Sequence, residues 1–147
     1  MTLQVGVRLP SGIDTGELLA EAGALEAAGA GLLWAAEDEL DPITLLAAVA
    51  ARTHTAALGL AEPPAGREKE LATLRVLARG RLLVGLPEGW VEGQVPAGRQ
   101  AWRELRAEHE AAGAAGILLA HDPRLLDLLR NPDQEDDRSQ DLQLAQG

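Results

Sequence analysis

The chain has 147 residues, no Cys, no Phe, no Tyr and a formal net charge of −10. That length suits one domain and buries roughly 68–70% of the unfolded surface, so a core forms without disulfides or metal. It excludes a complete eight-unit β/α barrel in one chain, which takes at least about 200 residues. Without Cys there is no disulfide framework, no thiolate chemistry and no Cys-ligated metal.

The apolar fraction is 46%, but three Trp supply all the aromatic bulk, so the core must be built from Leu, Ala and Val with Gly allowing close approach. The negative balance argues against nucleic-acid or anionic-membrane partners. No run of roughly 18 apolar residues is present, and the first ten residues lack a basic segment leading into a long apolar one. The expected compartment is the cytoplasm.

In chain order, residues 3–10 (LQVGVRLP) alternate apolar and polar and end at Pro, which predicts a strand. Asp14 is an N-cap candidate. Leu18, Leu19, Ala22, Leu25 and Ala28 then recur at helical spacing until Gly29 and Gly31. Residues 32–37 (LLWAAE) form a short apolar strand. Asp41 and Pro42 make a cap with Pro at the first helical position, opening a helix to about Thr53.

Residues 56–61 (AALGLA) are a third strand, and a helix is predicted from about Arg67 to Ala78. Residues 81–86 (RLLVGL) form a fourth strand, 87–98 an irregular Gly/Pro-rich stretch, and 99–112 a charged helix. Residues 117–120 (ILLA) make a fifth strand, and Pro123 opens a last short helix through Leu129. Continuously apolar strands alternating with helices indicate βαβ units in a parallel sheet. The pattern fits an open doubly wound sheet or part of a β/α barrel. Residues 131–147 form an acidic tail after a 1–130 domain, either solvated or docking Leu142 and Leu144 on a neighbour.

Residues 78–90 (ARGRLLVGLPEGW) sharpen this choice, because they resemble the luciferase-like flavin-dependent monooxygenases. In that family a helix ends in a Gly-Arg turn, followed by an apolar strand and a Gly-x-Gly-x-Gly-Trp-like segment. Other pieces follow in the family's order: VGVRLP at 5–10, WAAED at 34–38, DPITLLAA at 41–48, LGLA at 58–61 and AGAAGI at 112–117. The resemblance implies a truncated TIM-barrel-like α/β domain of about five parallel strands, with FMN or a deazaflavin at the strands' C-terminal ends. It implies a flavin-dependent oxidoreductase or monooxygenase acting on a small molecule. About three central-to-late units are missing from that pattern, as is a long loop after the third strand. The alternative is a non-catalytic binding or assembly protein derived from the same scaffold. Removing middle units leaves strands four and five as open edges, so a homodimer covering them is expected.

Glu37 and Asp38 follow the second strand, on the rim where β/α barrels carry function. A carboxylate there suits a hydrogen bond to a substrate hydroxyl, or base chemistry if desolvation raises its pKa. The resemblance aligns Asp38 with a His or Asp facing the flavin, and sets Ala61 on the cofactor side. Equally, residues 37–41 read as a solvated loop capping the next helix. Gly85, Gly89 and Trp90 form a Gly-punctuated strand exit, where backbone approaches a flat ring and Trp90 stacks on it; Trp90 otherwise serves as a core lid. The spacing at 85–89 lacks the Lys-Ser/Thr of a phosphate loop. His121, beside Asp122 after the fifth strand, is an acid/base or phosphate candidate, or a surface cap. No His pair has metal-ligand spacing, and no nucleophile elbow is present.

Overall fold

The computed structural model describes residues 2–134. The tail's Leu142 and Leu144 lie outside them. The chain is α/β, with six parallel strands and five helices in the order β1 (Gln4–Arg8), α1 (Thr15–Ala27), β2 (Leu32–Ala35), α2 (Pro42–Arg52), β3 (Ala57–Leu60), α3 (Glu68–Ala78), β4 (Leu82–Val84), β5 (Trp90–Gly93), α4 (Arg99–Ala111), β6 (Gly116–Leu119) and α5 (Leu125–Arg130). Both Asp caps anticipated from sequence form. Asp14 accepts from the Gly16 and Glu17 amides at 2.9 and 3.3 Å, and Asp41 accepts from Thr44 N–H at 2.9 Å.

The sheet order is β4-β3-β2-β1-β6-β5. Consecutive βα units take this order around a barrel wall, here opened between β4 and β5. Five strands were expected; the sixth, β5, lies inside the stretch read as irregular. It follows β4 through residues 85–89 alone, with no helix between them. Strand four is an edge as expected, and the other expected edge is corrected. The fifth strand of the sequence reading, β6, pairs with β1 on one side and β5 on the other. The edges are β4 and β5.

Strand parity divides the residues cleanly. Val5, Val7, Leu33, Ala35, Leu58, Leu60, Ile117 and Leu119 point into one core together with residues of all five helices, including Leu25, Leu46, Leu74, Trp102 and Leu128. A single helical layer on one sheet face suits a barrel wall and not a doubly wound sheet, so the two architectures left open by sequence are separated here.

The other, helix-free face carries Leu32, Trp34 and Leu118, with Ala57, Leu83, Leu86 and Trp90 packed against them. Two indoles cover it. Trp34 leans from β2 over Gly59, where a Cβ would lie 2.6 Å from the ring. Trp90 leans from β5 across Gly116 onto Gly6, with hypothetical Cβ distances of 2.4 and 2.8 Å. Gly6, Gly59 and Gly116 therefore serve as floors for the protein's own aromatic rings.

Two charged side chains knit the helix layer at the N-terminal ends of the strands. Glu26 of α1 accepts backbone N–H bonds from His54, Thr55 and Ala56 at 2.8–3.0 Å. Burial raises its pKa, but those three amides and the Arg81 charge together hold it below the ordinary glutamate value of 4.5. A lowered native pKa contributes stability that is fully present above pH 4.5 and lost as pH falls through the native value. Glu26→Gln is expected to flatten the fall of urea midpoint with acid below that pH. An acid slope identical to the wild-type chain would remove Glu26 as its source.

Candidate functional site

The C-terminal strand ends form a rim built from the loops after each strand. The cleft between the ends of β2 and β3 is lined by Ala35, Glu37, Leu60, Ala61, Pro63 and Arg67. The structure thus brings together two residues singled out from sequence, Glu37 and Ala61. Beside them, Arg67 makes a two-pronged ion pair with Asp41, Nη1 to Oδ1 at 2.9 Å and Nη2 to Oδ2 at 3.1 Å. The Arg67 guanidinium, then the Thr44 hydroxyl and amide, hold the Asp41 carboxyl far below the usual carboxylate range. Asp41 was legible as a helix cap; its partner 26 residues on carried no local signal.

Asp38, next to Glu37 in sequence, is exposed and turns away to the exit loop of β1. The Ser11 hydroxyl and then the Glu39 amide lower its pKa against a small opposing effect of burial. Desolvation was the route by which Asp38 would become a stronger base; the hydrogen bonds move its pKa the opposite way. A hydrogen-bond acceptor is the chemistry left to it.

His121 follows β6 on the same rim, but its imidazole Nε2 lies 3.2 Å from Oε1 of Glu21 on α1. It faces the helix layer, in a groove with Ile13, Glu17 and Leu126. Its neighbour Asp122 is held by Arg124, whose Nη2 and Nε lie 2.9 and 3.0 Å from the carboxylate. The pair His121–Asp122 is therefore divided between two different partners.

The grouping of Gly85, Gly89 and Trp90 on one strand exit is corrected. Gly85 leaves β4 at the rim with φ 85°, whereas Gly89 (φ 84°) and Trp90 stand at the entrance of β5, in register with Gly116 at the start of β6. The unseen strand β5 is the reason: the chain crosses from one end of the sheet to the other within residues 85–89. Asp38 and Trp90 consequently sit at opposite ends of the strands.

The fold can be tested for a flavin nucleotide on these contacts. A pocket for such a ligand measures roughly 300–1,000 Å³, and the β2–β3 cleft about 70 Å³. The helix-free face is filled by Trp34, Trp90 and Leu86. A phosphate would seek an arginine or a helix N-terminus at the rim. Arg8 is paired with Glu92, Arg67 with Asp41 and Arg124 with Asp122. The N-termini of α1 and α2 are already occupied by the carboxylates of Asp14 and Asp41. Neither the β2–β3 cleft nor the Trp-filled face offers the room a flavin ring system takes, while the N-termini of α3 and α4 carry no side-chain cap.

Among the described residues no three His, Asp or Glu side chains converge to hold a metal ion. No helix among them is long and apolar enough to cross a membrane. Neither the family models nor the curated proteins compared with this chain give a match.

Proposed function

We propose that this chain is a non-catalytic assembly module on a luciferase-like β/α scaffold, working as a homodimer. The observation that carries the reading is the rim, where the cleft between β2 and β3 holds only about 70 Å³, above a face that Trp34 and Trp90 pack on glycine floors. The self-paired rim arginines support it. Sheet edges support the dimer. All three residues of β4 (Leu82, Leu83 and Val84) are only half-buried, and no charged residue or proline guards them. A second copy set about a two-fold axis along this edge pairs the same strand with itself.

The net charge of −10 opposes self-association, so screening by salt should tighten the dimer. Light scattering at micromolar concentration is expected to give twice the chain mass, with a larger dimer fraction in 0.5 M than in 0.05 M salt (about a threefold change in Debye length). A monomer at both salts would refute the dimer. Titration with FMN and with a deazaflavin is expected to leave their fluorescence and absorbance unchanged. A stoichiometric, saturable complex with either would instead restore the oxidoreductase reading, with Glu37, Asp38 and Ala61 as its first residues to mutate.

A further inference from the structure

Two of the large exposed aliphatic side chains are neighbours. On α3, Val76 is 76% exposed and Leu77 48% exposed. They form one wall of a groove of about 480 Å³ between α2 and α3, floored by Ala47, Ala50 and Ala51. Its volume falls inside the roughly 300–1,000 Å³ range of small-molecule pockets. The alanines let a slim apolar chain lie close to the α2 backbone, where larger side chains would fill the space.

Basic side chains also line this trough. His54, Arg79 and Arg81 all line it, in a protein whose overall charge is −10. Arg81 is committed to backbone carbonyls and to Thr53, and Glu26 is occupied by the amides of His54 to Ala56. Arg79 is placed differently. It is the one described non-glycine residue with positive φ, at 52°, in the left-handed cap of α3. Glycine or asparagine suits that position at lower conformational cost. Arg79 instead places a long cation there, beside an exposed aliphatic wall.

We propose that the α2–α3 groove binds an aliphatic carboxylate, its chain along Ala47, Ala51, Val76 and Leu77 and its carboxylate on Arg79. Charge complementarity selects an anion over a cation or a neutral chain. The groove lies on the helix layer and not on the β4 edge, so its occupancy and the oligomeric state are separate measurements.

The test uses the full chain and dodecanoate below its micelle concentration, followed by amide chemical shifts and calorimetry, with dodecylamine and dodecanol as comparisons. Dodecanoate is expected to bind one per chain and to move the amides of Ala47–His54 and Val76–Arg81. Arg79→Gly relieves the backbone conformation, so the fold should be retained while affinity drops about threefold, the effect of one exposed ion pair. Val76→Asp, on a side chain already in solvent, should abolish binding. Equal or tighter binding of dodecylamine or dodecanol, shifts confined to another surface, an unchanged affinity in Arg79→Gly, or no binding at all would each overturn the proposal.

Discussion

Replacing Gly116 with alanine is expected to destabilise the chain by about 2–3 kcal/mol, at the upper end of what overpacking a core usually costs. The added Cβ would lie 2.4–2.5 Å from three atoms of the Trp90 ring. That ring cannot retreat freely: its far edge already rests on Gly6, and Leu118 and Leu32 border the same space. Urea denaturation measures the loss. The stronger check is the double variant. Trp90→Leu alone opens a cavity and costs stability, but it also vacates the volume the new methyl needs. Gly116→Ala combined with Trp90→Leu should therefore lose less than the sum of the two single variants, by at least about 1 kcal/mol. Additive losses would mean that the Trp90 ring does not lie over Gly116.

The second large effect is expected at Arg81. Its Nε donates to Ala78 O at 3.0 Å, its Nη1 to Thr53 Oγ1 at 2.8 Å and Ala56 O at 3.2 Å, and its Nη2 to Ala50 O at 3.1 Å and Thr53 O at 3.3 Å. One guanidinium thus collects the final carbonyls of α2, the end of α3 and the entrance to β3. Helix C-termini leave such carbonyls unpaired, and a cation there also meets the negative end of the helix dipole. Arg81→Met keeps most of the aliphatic stem but abandons all these acceptors, so about 3 kcal/mol of stability should be lost. Arg81→Lys should recover less than half of that, because an ammonium lacks the planar fork. If lysine restores wild-type stability, the charge matters and the fork does not.

Arg81 was read in the sequence as the first letter of a strand and as part of a family-like Gly-Arg turn. Its role depends on Thr53 and Ala56, 28 and 25 positions away, and no local pattern announces such a partner. What was legible was local. The Asp14 and Asp41 caps, the helical spacing of Leu18, Ala22 and Leu25, and the apolar runs of β2, β3 and β6 all stand where the sequence puts them. β5 was missed because WVEG is only four residues long and lies between Pro87 and Pro96, so breakers outvoted the pattern. Its absence from the reading displaced Trp90 from the strand entrance to a supposed exit. The candidate site was legible at Glu37 and Ala61, which share a cleft, and illegible at His121, whose ring follows Glu21 one hundred positions earlier.

β1 stands between β2 and β6, and its lower end is tied down by late residues: Leu3 N–H donates to Glu110, 107 positions away, and Gln4 N–H to Ala115 O. A nascent chain leaving the ribosome can pair β1 with β2 early, yet β1 keeps one open side until β6 has cleared the tunnel. The sheet's final seam is thus its least local contact, and its closure entropy is met late in folding. Completion of the sheet waits on β6 and on the turn that leads into it, whose residues tie down the start of β1.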